Sequence, residues 1–119
     1  MRALLRTTIA AVAGLLLAHA AHAAGNAVAG ETKAKAQCAA CHATGGDWDK
    51  PIDSNTPKLA GQHKDYLVQV LLAYKQGDKS IIGRKNPIMG SQAQALTSKE
   101  IADLAEFFGS MKGSLGTKR

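Results

Sequence analysis

Cys38-Ala39-Ala40-Cys41-His42 constrains this chain more than any other stretch. Two cysteines separated by two residues and followed at once by histidine form the attachment pattern of a c-type haem. Both thiols must reach neighbouring points of one macrocycle, which a single helical turn allows, and the next residue, His42, then meets the iron from one face. Other chemistries also use this spacing. A zinc site needs four ligands, and beyond Cys38, Cys41 and His42 the only other Cys or His after residue 23 is His63. A thioredoxin-like redox pair needs a βαβ setting, and no strand-rich segment is visible. A plain disulfide stays open for an exported chain. The haem reading uses all three residues and needs no fourth cysteine or histidine.

Export is expected from the first 23 residues. Arg2 and Arg6 precede an apolar run from about Ile9 to Leu17, and Ala21-His22-Ala23 is a small-residue cleavage signature. The pattern is that of a secretory signal peptide removed after Ala23, with Ala20 as a competing site, and the apolar run is too short for a membrane span. The arginines are not adjacent and the leader has no cysteine, so neither a twin-arginine route nor a lipid anchor is expected. His19 and His22 would leave with the leader. Removing residues 1–23, with Arg2 and Arg6, leaves 96 residues carrying 13 basic and nine acidic side chains, a charge of +4. Both signs are interspersed without a basic run, which argues against nucleic acid and favours an acidic protein partner steered by charge. So small a domain buries a limited core and needs a staple. Haem is the expected one, so the haem-free chain should fold poorly.

The rest of the chain reads as helices and loops. Asn26 can cap a helix over about Ala27–Ala40, in which Gly30 is out of place and calls for close approach of another helix. Gly45 to Pro51 is a loop, and its Trp48 has two readings, a haem-edge cover or ordinary packing. In the loop Thr56–Gln62, Pro57 has a fixed φ and an available carbonyl. It is a plausible acceptor for the second ring nitrogen of a ligating histidine, although spacing does not single it out. His63 reads as a surface or capping residue. Lys64–Gln76 is expected to be a helix ended by Gly77, with Tyr66, Leu67, Val70, Leu71 and Tyr74 on one core face. Asp78 to Met89 reads as a long loop, which ends in Asn86-Pro87-Ile88-Met89-Gly90. Met89 is the natural sixth iron ligand; Met111, at a helix end, reads as core, and His63 is the remaining competitor. Thr97-Ser98-Lys99-Glu100 is a capping box that starts a last helix bearing Ile101, Leu104, Ala105 and Phe108.

This order resembles the class I cytochromes c, in particular the short bacterial periplasmic monohaem forms and single lobes of dihaem cytochromes. The matching stretches are CAACH, PKLAGQHKDYLVQVLLAYKQG, NPIMG and LTSKEIADLAEFF. The resemblance implies an all-α cytochrome c fold of three main helices around one covalent haem c, with a domain over residues 24–113 and a flexible tail over 114–119. It implies thioethers at Cys38 and Cys41, iron ligands His42 and Met89, and the Pro57 carbonyl as partner of the haem histidine. It also places Gly30 where the first and last helices cross, opposite Leu104 and Phe107, and Ala34 where many members carry an aromatic residue. Residues 78–83 exceed the plainest members in length, which unsettles Arg84 as a propionate partner. Nothing transfers to Trp48, and Ile81 and Ile82 are either a partner contact or a pocket edge.

The function expected from these residues is that of a periplasmic electron carrier of the respiratory chain, with no catalysis and no membrane anchor. It would act as a monomer or in a transient complex, with small alanines (Ala39, Ala40, Ala43) allowing close approach and Lys58 and Lys85 supplying docking charge. The alternative is a dedicated haem subunit of a dehydrogenase or oxidase. An enzyme or gas sensor with an open iron would require Met89 not to ligate.

Overall fold

The computed structural model describes residues 24–116. The expected leader, its cleavage site and residues 117–119 lie outside the described residues. Within them the chain is helical: α1 (Ala27–Gln37), α2 (Ala39–His42), α3 (Lys64–Gln76), α4 (Pro87–Gln94) and α5 (Ser98–Ser110). The three long helices are the expected ones, and among the described residues none is long and apolar enough to cross a membrane.

Each long helix starts and stops for a local reason. The Asn26 side chain accepts from the Ala29 N–H at 3.0 Å and opens α1. Helix α1 ends sooner than expected, because Cys38 takes φ −103° and ψ −29° and separates it from the short turn α2. Gly77, at φ 51°, stops α3. Both halves of the capping box form at α5: Glu100 N–H to Thr97 Oγ1 at 3.1 Å, and Thr97 N–H to Glu100 Oε2 at 2.8 Å.

Helix α5 is the centre of the fold, with α1 and α3 against it and α4 against α3. Its Ile101 and Leu104 are 1 % exposed and form the core with Ala34, Leu67 and Phe108. Gly30 lies at the α1–α5 crossing as expected. A Cβ there would press into the Asp103 carbonyl and sit 2.8 Å from Phe107 Cβ, so the nearest atoms are Asp103 and Phe107 and not Leu104. Asp103 is 4 % exposed. Its carboxylate accepts from Lys99 Nζ at 2.6 Å and from the Asn26 N–H at 2.7 Å, which ties the start of α1 to α5. These partners, Lys99 first, hold the Asp103 carboxyl below its ordinary range.

Trp48 takes the packing reading. It is buried, with its ring edge-on to Phe108 at 4.9 Å and Phe107 at 6.0 Å. Met111 packs against the same core. Residues 87–94 form a helix whose first turn lies in the stretch expected to be a loop, because Asn86 caps it at the Met89 N–H (2.9 Å) and Pro87 occupies its first turn. The tail expected from residue 114 is anchored at its start: Asp49 Oδ1 accepts from Ser114 Oγ at 2.8 Å.

Candidate haem-binding site

The motif is carried by the α1–α2 junction. Cys38 N–H donates to the Ala34 carbonyl at 2.8 Å, and His42 N–H to the Cys38 carbonyl at 3.0 Å. Both cysteines therefore lie on one continuous helical path with His42 one turn beyond the first. The two cysteines are not joined to each other. Cys38 is half-buried and Cys41 exposed, and burial pushes the Cys38 thiol up to about 11. Among the described residues, no three His, Cys, Asp or Glu side chains gather to hold a bare metal ion, which leaves the zinc reading without its ligands.

His42 is 6 % exposed, and its Nδ1 lies 2.7 Å from the Pro57 carbonyl oxygen. A carbonyl only accepts, so Nδ1 carries a proton, which leaves Nε2 as the nitrogen available to a metal. The loop is tied back to the motif, with Ile52 N–H donating to the Cys41 carbonyl at 3.0 Å and Thr44 N–H to the Lys50 carbonyl at 2.7 Å. The expected His42–Pro57 pair is thus brought together over 15 residues of sequence.

Met89 is half-buried, on the first turn of α4. Its helix is held from two sides. Gln37 Nε2, at the end of α1, donates to the Gln92 carbonyl at 2.9 Å, and Gln94 Nε2 donates to the Lys75 carbonyl of α3 at 2.5 Å. Lys75 Nζ answers with bonds to the Gln94 and Leu96 carbonyls. Neither glutamine was legible as a site residue, because each speaks to a carbonyl far away in sequence. Asn86-Pro87 was the available signal for α4, as an N-cap followed by proline.

The α3 stripe divides between two surroundings. Leu67 is buried, and Val68 and Leu71 pack against the core, whereas Tyr66 and Val70 line an open groove of about 430 Å³ with Ala73, Ile82 and Arg84. The Arg84 guanidinium lies 5.8 Å from the Tyr66 ring centroid and 5.7 Å from that of Tyr74, a cation–π arrangement. Ile81 is 102 % exposed, whereas Ile82, though 73 % exposed, stands at the edge of that groove. His63 is exposed and makes no side-chain cap to α3. Lys85 pairs with Asp78 at 3.1 Å, and Lys58 Nζ donates to Ser114 Oγ at 3.3 Å. Of the small residues around the motif, Ala43 is buried in the core and Ala40 is exposed.

A helical turn bearing two thiols, a buried imidazole with its proton fixed on the outer nitrogen, and a tethered methionine together fit one covalently held haem. The comparisons agree. The family model described as Cytochrome c matches residues 27–112. Cytochrome c4 of Stutzerimonas stutzeri is 41 % identical over 100 residues, covering 81 % of this chain and 46 % of that protein. Cytochrome c-554(548) of Halomonas halodenitrificans is 38 % identical over 89 residues, covering 75 % of this chain and 100 % of that one. The crystal structure of reduced recombinant cytochrome c4 from Pseudomonas stutzeri superposes with a TM-score of 0.65 at 37 % identity, over 76 % of this chain and 48 % of that one. The chain therefore spans about half the length of the cytochrome c4 relatives it matches.

Proposed function

The chain belongs to the cytochrome c family and takes one covalent haem c, and on that footing we propose that it is a periplasmic carrier of single electrons between redox proteins. Haem c, when bound, supplies reversible one-electron chemistry at iron. Cys38 and Cys41 would hold it through thioethers, and His42 and Met89 would supply the two protein ligands of its iron. With both positions filled by protein, no substrate reaches the iron, so the reading is a carrier and not an enzyme.

The observation that carries this is the 2.7 Å contact from His42 Nδ1 to the Pro57 carbonyl, because it sets the imidazole in its ligating tautomer. The same bond raises the basicity of the ring. The Met89 thioether, soft and neutral, would favour the ferrous state and so raise the potential. Burial of His42 and the tethers of α4 keep both ligands in place as the charge changes.

The test is the optical spectrum of the exported protein, oxidised and reduced, beside a Met89→His variant. The ferric wild-type protein should show the charge-transfer band of methionine-ligated haem. The variant should lose it, and its potential should fall by on the order of 0.1–0.2 V, within the roughly 0.8 V that axial ligands span. An unchanged band in the variant rules out Met89 as the ligand.

A further inference from the structure

The Pro57 carbonyl that fixes His42 stands in a loop gripped by the chain's C-terminal segment. Asp49 Oδ1 and Oδ2 accept from the Ser114 N–H at 3.2 and 3.0 Å, and Oδ1 also accepts from Ser114 Oγ at 2.8 Å. Lys58, directly after Pro57, donates to the same hydroxyl at 3.3 Å. Past Lys58, a Cβ on Gly113 would fall 2.5 Å from Ala60 Cβ, and one on Gly61 would fall 2.9 Å from the Gly116 nitrogen. Further bonds close the loop from within: Leu59 N–H to the Trp48 carbonyl at 3.3 Å, and Gly61 N–H to the Phe108 carbonyl of α5 at 3.0 Å. The segment after α5 thus touches the loop both before Pro57, at Asp49, and after it, at Lys58, Ala60 and Gly61.

We propose that Asp49, by latching Ser114, is a positioning residue that holds the Pro57 carbonyl against His42 and so tunes the iron through a residue it never touches. The inference rests on the reading of His42 as the axial ligand. A proline carbonyl has no side chain of its own to aim it, so its distance to Nδ1 is set by whatever holds the loop. Asp49 makes three of those bonds with one carboxylate. If the latch opens, the loop keeps its inner bonds and the Nδ1–H···O=C bond lengthens. A weaker bond leaves the imidazole less basic and a poorer partner for ferric iron, so the potential rises.

The test uses the exported holoprotein as wild type, as Asp49→Ala and as a chain ending at Gly113, with Glu106→Gln as control. Glu106 pairs with Lys64 of α3 at 2.6 Å and makes no contact with Asp49 or Ser114, so its loss weakens packing and leaves the latch intact. Two quantities are measured: the midpoint potential, and the rate at which the His42 Nδ1 proton exchanges with deuterium, followed by NMR. Both latch variants should favour the ferrous state about threefold to tenfold more than wild type, or about 30–60 mV for a one-electron couple. Their Nδ1 proton should exchange at least tenfold faster, and Glu106→Gln should change neither quantity. Should the shortened chain fail to accumulate, Asp49→Ala carries the test alone. Wild-type values in Asp49→Ala, or equal shifts in the Glu106→Gln control, overturn the proposal. A wild-type protein without a c-type spectrum overturns the haem-ligand reading beneath it, which is a separate outcome.

Discussion

At the scale of single residues, Gly30 and the acidic side chains near it carry the sharpest consequences. A methyl group at Gly30 meets the Asp103 carbonyl and Phe107 Cβ together, so the two helices must shift apart to admit it. Gly30→Ala should therefore destabilise the holoprotein by about 1–3 kcal/mol, read as a lower denaturant midpoint, although alanine is the better helix former. Glu100 is held down to about 2, first by Lys33 and then by the Thr97 N–H. Asp103 is also lowered, by Lys99 and the Asn26 N–H. A carboxyl lowered in the folded state contributes stability above its unfolded value and loses it as the pH falls through its folded one. Stability should thus hold above about pH 4.5 and decline towards about pH 2, and Glu100→Gln should flatten that decline in an acid titration followed by circular dichroism. Gly30 was legible as a crossing glycine because a mid-helix glycine demands a reason. Asp103 was not, because a carboxylate on a helix reads as solvated unless its partner is known, and Asn26 lies 77 positions away.

Among the elements, α4 separates what patterning can find from what it cannot. Helices α3 and α5 announce themselves through apolar periodicity, a glycine stop and a capping box, and both formed where expected. Helix α4 has eight residues and one buried side chain, Ala93, so it carries no stripe to read. It exists because Asn86 and Pro87 start it and because Gln37 and Gln94 hold it to its neighbours. Asn86→Ala removes the cap, which should cost about 1 kcal/mol and loosen the first turn, where Met89 sits. Hydrogen exchange should then quicken in residues 87–94 before it does in α5, and the methionine charge-transfer band should fade at a lower temperature than in wild type. The α3 stripe shows the converse limit. Its period was right, but Tyr66 and Val70 turn to a groove with Arg84, since periodicity gives a face and not what lies against it.

For the whole molecule, the core described above is small, and its largest fully buried side chains are Ile101 and Leu104. A domain of this size rarely holds itself together by apolar burial alone. The mature chain with Cys38→Ala and Cys41→Ala, which blocks haem attachment, should lack the cooperative unfolding transition of the holoprotein in a thermal melt. The surface gives the second prediction. A chain of charge +4 after loss of residues 1–23 should meet acidic redox partners faster at low salt. Electron-transfer rates with an acidic partner should fall several-fold between about 10 mM and 200 mM ionic strength, measured by stopped flow. Fold and haem motif were readable because local rules and one covalent motif govern them. Pro57 was readable as a candidate acceptor but singled out only by resemblance, and the latch at Ser114 was not readable at all, because both depend on where distant segments meet.

The bond from Asn26 to Asp103 has a consequence in time. It spans 77 positions and joins the two ends of the domain. A chain that emerges amino end first presents Cys38 to His42 long before Asp103 has appeared. During that interval α1 has no partner for Gly30 and Ala34, and closing so long a loop waits on its final third. The motif is therefore complete before the helix that packs against α1 exists. The start of α1 and the middle of α5 thus act as a clasp, which shuts only when both helices are present.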